Sequence, residues 1–465
     1  MTTKTLTQWL TILGLWFLSL VCIESAFAGG FRIYDQSASA TGQSSAFAAQ
    51  ADDPSAVYYN PAGMTQLRGA QILFGTLFIG GHTTFSSPSG AMTRGDFGAS
   101  SAFPPPSHFY ATVNLEDVGY DFAKGFSAGI AVLSPFGNTY RYPASGPFST
   151  AVTHSALQLI DIKPSLAYKF NDQVSIGLGM DIYTFFNFWG EGQYETHLKS
   201  SGGPPLPSAG TPLEVNGRGT TGGFNVSLLY TPFRSSNDKP LVNVAFIYRS
   251  QAELPIKGQF LASGVLLSDV RTTLVLPQVF TGGISVWPIQ DDRNSWKLEL
   301  NVDYTDWHSM RNTDLHLSNG FTIPFAQNWR STYTVLVSTE YRWLDLQQLP
   351  NWEIALRGGY WYSMTPVPDS SFSPQLPDAN NHSISLGLGF LCKKNGHFLG
   401  LFECGHLSSG RMRPQALGLD LAYQALLYEP RNVVGNLNPV AVPGSVNGDY
   451  RTVFHAGIMS FRVDF

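Results

Sequence analysis

The feature that most constrains this chain is an alternation of apolar and polar residues that recurs along most of its length. Side chains on a strand point to opposite faces, so each alternating segment has one apolar and one polar face. The polar faces carry both signs of charge, and several apolar faces end in aromatic residues. A soluble sheet is the alternative, but these two features favour a barrel in a membrane with a wet interior. Clear examples are residues 161–170, 242–249, 296–305 and 333–343.

Composition agrees with this interpretation. Charged residues make up 13% of the chain and aromatic residues another 13%, whereas about 25% of a typical soluble protein is charged. Beyond the N-terminus no stretch is apolar enough for a membrane helix, so a closed barrel is the remaining way to span a bilayer. The net charge of −5 and the lack of a basic run argue against a nucleic-acid partner.

The N-terminus predicts a signal peptide. An apolar stretch at 9–23 follows a positive residue and is shorter than the ~20 residues that a spanning helix needs. Small residues flank a possible cleavage site at 26–28, so we expect residues 1–28 to be removed and the mature chain to begin at Gly29. Lipidation at Cys22 is the alternative, and the large residue before it disfavours that outcome.

The barrel is predicted to occupy residues 69–465 and to have about fourteen antiparallel strands, an even number as bacterial barrels have. Long connections at 82–107 and 191–218 would face outward, and a tight turn at 171–173 would face the periplasm. The predicted strands are 69–81, 108–115, 125–134, 157–170, 173–190, 219–231, 240–251, 271–287, 296–308, 329–343, 352–363, 380–392, 416–428 and 450–465.

The last predicted strand places Phe461, Val463 and Phe465 on one face. A terminal Phe with apolar residues two and four places before it resembles the assembly signal of outer-membrane barrels. We therefore expect the barrel-assembly machinery to be a partner, and outer-membrane lipid and lipopolysaccharide to surround a monomeric barrel in a Gram-negative cell.

Residues 29–68 do not alternate and are mostly small and polar. Within them Asn60 suits a helix N-cap and Pro61 the first helical position, followed by Ala62. Between a signal peptide and a barrel, such a segment predicts a helical N-terminal hatch that plugs the lumen.

The stretch ADDPSAVYYNPAGM at 51–64 resembles the N-terminal hatch of FadL-type long-chain fatty acid transporters of the outer membrane. Further stretches resemble the family in the same order, at 133–140, 155–172, 338–343 and 365–390. The resemblance implies a fourteen-stranded barrel with a hatch. It also implies passive transport: a hydrophobic molecule binds between two extracellular loops, reaches an internal pocket and leaves sideways through the wall.

The loops that correspond to this groove are 191–218 and 252–270. The second is unusually apolar for an outer loop, and exposed apolar patches often mark binding sites. Packing of these residues onto the barrel rim is the alternative. The candidate groove residues are Phe260, Leu261, Val265, Leu266 and Leu267.

The sequence leaves two classes of substrate as alternatives. Family members often carry Gly-Arg-Tyr shortly before the segment that corresponds to 155–172, whereas Ser149 and Thr150 stand there in this chain. Long-chain fatty acids are the first expectation, and neutral aromatic hydrocarbons, which relatives of the same fold carry, are the alternative. Candidate lumen charges are Arg141, Lys163, Arg249 and Arg357.

A lateral exit is expected where strand pairing is broken. Pro164 has no N–H to donate to a sheet ladder. Gly129 in the preceding strand weakens pairing, and that strand runs into Pro135. These three residues are the gate candidates; a harmless bulge at Pro164 is the alternative.

Two other sequence patterns give only weak indications of catalysis or metal binding. The GxSxG spacing at 125–129 lacks the strand–turn–helix context of a nucleophile elbow, so a barrel enzyme is a distant second alternative and no catalytic residue is predicted. Cys392 and Cys404 have His397 and His406 nearby, but the oxidising periplasm favours a disulfide over a metal site. We predict no cofactor and no bound metal.

Overall fold

The computed structural model describes residues 29–97, 107–185, 193–204, 206–393, 396–398, 402–404 and 414–465. The expected signal peptide, with Cys22, lies outside the described residues, and so does His406.

Fourteen antiparallel strands form a closed barrel, which confirms the predicted fold class and strand number. Each strand pairs with its neighbours along the chain, and the first strand pairs with both the second and the last, which closes the ring. The strands are β1 Ala70–Ser86, β2 His108–Asn114, β3 Phe126–Arg141, β4 His154–Lys169, β5 Val174–Thr184, β6 Thr220–Arg234, β7 Pro240–Arg249, β8 Val279–Gln290, β9 Asn294–Thr305, β10 Thr332–Trp343, β11 Trp352–Ser363, β12 Asn381–Cys392, β13 Ala416–Tyr428 and β14 Gly448–Asp464.

The barrel wall has its apolar side outward. In β4, Leu166 is exposed whereas Asp161, Lys163 and Ser165 are buried toward the lumen. Large apolar side chains on the other strands are exposed in the same way, for example Phe78, Met180, Phe246 and Leu386. This arrangement exposes apolar side chains around the whole barrel and keeps polar groups in the lumen. It is the arrangement expected for a barrel surrounded by the hydrocarbon of a bilayer. Among the described residues, no helix is long and apolar enough to cross a membrane.

Most of the long connections lie at one end of the barrel, which we call the outer end because long loops face outward in such proteins. They contain further strands at Met92–Phe97, Tyr194–Lys199, Pro212–Arg218, Ala252–Ala262, Val265–Leu276, Leu315–Leu317, Thr322–Ile323 and Arg431–Val433. Short 3-10 helices lie at Asp121–Ala123, Trp307–Ser309 and Asp369–Ser371. A hairpin of Gly396–Phe398 and Phe402–Cys404 follows β12 at the opposite end, where a disulfide joins Cys392 to Cys404.

The largest difference from the expected strands lies at 252–287. The segment 252–270 was expected to be a loop, but the structure has a hairpin of Ala252–Ala262 and Val265–Leu276 there. The expected strand 271–287 is accordingly divided, and its second part belongs to β8. Apolar and β-branched residues are frequent on both sides of Pro277, so strand propensity alone does not reveal the break.

The N-terminal segment (residues 29–68) lies inside the barrel. It forms two short α-helices, Ala38–Thr41 and Ala56–Tyr59, and a 3-10 helix, Pro61–Gln66. Asn60 takes the N-cap of the last helix and accepts a hydrogen bond from the Ala62 N–H at 3.1 Å. The Asn60 Nδ2 also donates to the Ala48 carbonyl at 2.8 Å. The Asn60 side chain therefore joins the start of the 3-10 helix to the turn at Ala48.

Inward-facing glycines let this segment approach the wall. A Cβ on Gly387 in β12 would lie 2.8 Å from the Cα of Gly42. A Cβ on Gly129 in β3 would lie 2.6 Å from the Met64 sulfur and 2.7 Å from Val57. Because real Cβ atoms do not approach other atoms so closely, glycine is needed at these contact points.

Buried hydrogen bonds to a charged side chain and a half-buried ion pair fasten the segment to the wall. The Lys297 ammonium in β9 donates to Gln43 and Gln50, each at 2.6 Å, and pairs with Glu299 at 3.0 Å. On a neighbouring strand, Arg342 pairs with Asp52 at 2.9 Å. Since a buried charge that loses its partner is strongly destabilising, these contacts favour one position for the segment.

Candidate functional site

An apolar cleft opens among the connections at the outer end. It contains about 1350 Å³ of empty space, part of it continuous with solvent. The strands Tyr194–Lys199 and Pro212–Arg218 pair with each other, and their alternation turns one side chain in two toward the cleft. None of the described residues that line it carries a charge; among them are Leu198, Leu213, Val215, Phe260, Leu315, Ile323, Phe325, Phe372, Leu437 and Val440.

The structure brings one of the five predicted groove residues into this cleft. Phe260 is buried and lines it, packed with Leu198 and Leu213. Leu261 does not line the cleft, and Val265, Leu266 and Leu267 are exposed by 66%, 51% and 46% at the tip of their hairpin. Sequence alone could not separate them, because both ends of the apolar run look alike until the hairpin register is known.

A buried apolar cluster continues inward from the cleft. Phe372, which lines the cleft, packs on Tyr450 with ring centroids 4.6 Å apart. Tyr450 and Phe148 follow at 5.9 Å, and the same cluster of buried side chains contains Phe31 and Phe136. The cluster therefore connects the cleft to the place where the N-terminal segment meets β3.

At that place β3 leaves the regular wall. Its side chains alternate between lumen and exterior as far as Val132, whereas all six residues from 133 to 138 are buried. Its pairing with β4 shifts register between Leu133 and Phe136. Ser134 and Pro135 form the resulting bulge, and bulges bend a strand and increase its twist.

The N-terminal segment pairs with this bend. The Ile33 N–H donates to the Pro135 carbonyl at 2.8 Å, and the Gly137 N–H donates to the Phe31 carbonyl at 3.1 Å. Arg32 and Phe136 thereby form an isolated antiparallel bridge. The backbone groups that β3 turns away from its barrel neighbours are satisfied by residues 31–33.

On its other side β3 pairs with β2 only from Ser127 to Val132. Tyr140 and Arg141 then pair with the strand Met92–Phe97. Within the described residues, no strand pairs with positions 133–139 on that side. We call this stretch of β3, residues 133–139, the wall interruption.

The wall interruption is not where Gly129 and Pro164 were expected to open the wall. Gly129 pairs with Ser165 and Pro164 with Ile130, in a continuous register between β3 and β4. The pairing that Pro164 interrupts is the one with β5, next to the buried ion pair of Lys163 and Asp181. Of the three gate candidates, only Pro135 lies at the bend.

A smaller internal cavity lies between the N-terminal segment and β7 to β9. It has about 430 Å³ of empty space, part of it continuous with solvent, and only about 30 Å³ is wide enough for the centre of a water molecule. Its lining includes Arg32, Tyr58, Arg249 and Asp303. Arg32 pairs with Asp303 at 2.8 Å, and Arg249 donates to the Tyr58 carbonyl at 3.1 Å. The cavity therefore presents two guanidinium groups and one carboxylate.

Three of the four predicted lumen charges lie inside the barrel. Lys163, Arg249 and Arg357 are buried inside the barrel, and Arg357 pairs with Glu340 at 2.6 Å and with Asp420. Arg141 is exposed at the outer end of β3, so its assignment to the lumen is wrong. The strand does not end where alternation suggested but continues upward beyond the bend, which carries Arg141 out of the lumen.

Asp378 connects the outer loops to the start of the N-terminal segment. Its carboxylate accepts hydrogen bonds from Gly30 N at 3.3 Å and from the Thr365 hydroxyl at 2.7 Å. Burial raises the pKa of Asp378 to about 7. Near neutral pH this carboxyl can therefore hold or release a proton next to the segment.

Sequence reasoning missed Phe31, Arg32, Phe136 and Trp307. Phe31 packs against Phe136 at 5.7 Å and against Trp307 at 5.0 Å, between ring centroids. A usable signal was the loss of alternation after Val132, which a strand-by-strand count of apolar faces would detect. Nothing in the local sequence marks Trp307, which lies in an irregular connection.

Comparisons with known proteins agree with this architecture. The long-chain fatty acid transport protein of Salmonella typhi is 25% identical over 400 residues, covering 80% of this chain and 86% of the relative. That of Escherichia coli K12 is 23% identical over 409 residues, covering 80% and 86%.

Two solved structures have the same fold. A FadL homologue from Pseudomonas aeruginosa superposes with a TM-score of 0.67 at 17% identity, covering 94% of this chain and 100% of that one. The Pseudomonas putida toluene transporter TodX gives 0.54 at 13% identity, covering 89% and 94%.

The family model for outer membrane protein transport proteins matches residues 19–397, most of the chain. Together with the outward apolar wall, this match places the barrel in the outer membrane of a Gram-negative cell. The chain belongs to the OMPP1/FadL/TodX family of outer membrane transport proteins.

Proposed function

We propose that this barrel is a passive transporter of hydrophobic molecules, with long-chain fatty acids as the first candidate. The observation that carries the proposal is the single buried cluster that contains both Phe372 of the cleft and Phe136 of the wall interruption. A hydrophobic molecule can leave water at the cleft and stay among apolar side chains until it reaches the wall. Each methylene that it buries contributes about 0.8 kcal/mol, so capture needs no energy source.

In this proposal the N-terminal segment acts as a hatch. Its buried ion pairs and close backbone contacts block the lumen for polar solutes, while residues 31–33 cover the wall interruption. The substrate leaves sideways into the bilayer when these residues move. The proposal includes a signal peptide at 1–28, a hatch at 29–68 and a barrel at 69–465, assembled by the barrel-assembly machinery as a monomer without catalytic activity.

Neutral aromatic hydrocarbons are the second candidate. The part of the cleft lining that the structure describes carries no charge, so it offers a carboxylate no ionic partner at the point of capture. The internal cavity favours the fatty acid instead, because Arg32 and Arg249 line it and guanidinium groups bind carboxylates well. The two candidates therefore differ in what the internal cavity is expected to bind.

The test is uptake by a Gram-negative strain that lacks its own transporter of this family. We expect radiolabelled oleate to enter faster than in the empty-vector strain. Uptake of toluene without oleate would favour the second candidate. Swelling of protein-containing liposomes in sugar solution would indicate an open pore, and uptake of neither hydrophobe would overturn the proposal.

A further inference from the structure

Four side chains with metal-binding atoms share one face of the sheet at the outer end. His154 in β4 lies directly opposite His197, and His197 lies directly opposite Glu214, in adjacent antiparallel strands. Directly opposed residues point to the same side of a sheet, and so do residues two apart, which adds Glu195 to the group. The four residues therefore come from three adjacent strands and lie side by side on one face of the sheet.

The side-chain atoms converge as well as the backbone. The ligand atoms of Glu195, His197 and Glu214 all lie within 4.8 Å of one another. His197 Nε2 contacts the Glu195 carboxylate and lies 4.0 Å from Glu214 Oε2. The rings of His154 and His197 are 5.4 Å apart, and His154 Nδ1 is buried with no hydrogen-bond partner among the described residues.

We propose that His154, Glu195, His197 and Glu214 bind one divalent transition-metal cation of the Zn²⁺ class. Imidazole nitrogen with carboxylate oxygen is a ligand set that Zn²⁺ takes in four-coordinate sites, whereas Mg²⁺ and Ca²⁺ take oxygen ligands almost exclusively. Bonds of about 2.0 Å put tetrahedral ligand atoms about 3.3 Å apart, so small side-chain rotations close the site.

Access and charge suit a cation. Side chains of His197 and Glu214 are 38% and 28% exposed, which leaves an entry path, while Glu195 is 7% exposed. Arg141 lies opposite His154 on the next strand, and its side chain is exposed. The two carboxylates offset the charge of the metal, and the guanidinium stays in water.

The site lies on the back of the cleft wall. Leu198, Leu213 and Val215 line the cleft from the same two strands, and they alternate with His197 and Glu214. A metal held by three strands would fix the position of this wall relative to β4. This consequence rests on the proposed function of the cleft, whereas metal binding itself does not.

The experiment is equilibrium dialysis of the tag-free, detergent-solubilised full protein against ZnCl₂, with metal counted per chain. We expect one tightly bound Zn²⁺ for the wild type, at least about tenfold weaker binding after the paired change His197→Gln and Glu214→Gln, and no change for His316→Gln. His316 is the matched control, since it is a histidine on an outer strand whose neighbours are Arg271 and Thr322. Equal Zn²⁺ binding by the paired variant and the wild type would overturn the proposal.

A second measurement keeps the test valid if the paired variant does not assemble. On the wild type, binding should fall steeply between about pH 7.5 and pH 5, because the imidazoles must be neutral to bind metal. An excess of Ca²⁺ or Mg²⁺ should not displace Zn²⁺, and displacement would contradict the ligand assignment. If Zn²⁺ binds as expected while oleate and toluene do not bind at all, the proposed function fails and the metal site stands.

Discussion

The backbone N–H of Ile33 donates to the carbonyl oxygen of Pro135 at 2.8 Å, across the point where β3 bends out of the barrel wall. Pro135 lies in the bulge, and its carbonyl has turned away from the neighbouring strands. The N-terminal segment supplies the missing donor. The N-terminal segment therefore fills the lumen and also completes the wall. Movement of this segment opens the lumen and the wall interruption together.

Charge in the cleft should reduce uptake. Val215→Asp places a carboxylate among apolar side chains that would otherwise receive the substrate, and we expect at least about a tenfold lower rate of oleate uptake. Leu266→Asp is the matched control, because Leu266 is exposed at the hairpin tip and does not line the cleft. The cleft is not the capture site if both variants transport at the wild-type rate, or if only Leu266→Asp is impaired.

A side chain at Gly387 should displace the N-terminal segment. Gly387→Val would push a methyl-bearing carbon into the backbone at Gly42, where even a Cβ lies 2.8 Å from the Cα. We expect the barrel to assemble with a leaky lumen, measured as faster swelling of liposomes in sugar solution. Gly282→Val is the control, since a Cβ there meets no atom within 4 Å. Unchanged swelling in a correctly assembled Gly387→Val barrel would show that the segment does not seal the lumen.

The contact between Asp378 and Gly30 should depend on pH. Burial raises the pKa of Asp378 to about 7 from an ordinary value of 3.8. The folded state therefore binds this proton more tightly than the unfolded state. Its contribution to stability is complete below about pH 4 and is lost as the pH rises through about 7.

Asp378→Asn removes that titration while keeping a hydrogen-bonding side chain. Amide hydrogen exchange should show residues 29–33 and 364–380 better protected at pH 5 than at pH 8 in the wild type. The variant should lose most of that difference. Because burial also raises the pKa of Asp35 to about 7, only the difference between the two proteins reports on Asp378. Identical pH dependence in both would contradict the role of Asp378.

The barrel could be predicted because the alternation of inward and outward side chains is a local, periodic property of the sequence. A two-residue repeat with outward Leu166 and inward Lys163 can be read from sequence wherever the strand is regular. Prediction failed where two strands met at Pro277, since apolar and β-branched residues are frequent on both sides of the break. It also failed at Arg141, since β3 extends past its bend.

The site was less predictable because it depends on contacts between distant residues. Phe31 and Phe136 are separated by more than a hundred positions, and the loss of alternation around Phe136 does not show which residue packs against it. Pro164 looked like the weak point since proline cannot donate in a ladder. Its missing N–H faces β5, however, where the wall is supported by buried Lys163 and Asp181. Which neighbour a strand position faces follows from register, and register is a property of the whole barrel.

Release of substrate through the wall interruption requires residues 31–33 to move away from β3. Arg32 and Phe136 form a bridge of the kind whose Cα atoms lie about 4.5 Å apart, which suits a disulfide. The test is oleate uptake by the double variant Arg32→Cys and Phe136→Cys, with each single variant as a control for the lost side chains. We expect the oxidised double variant to transport no faster than the empty-vector strain and to regain the rate of the single variants on reduction. Full transport by the cross-linked protein would show that substrate does not leave through the wall interruption.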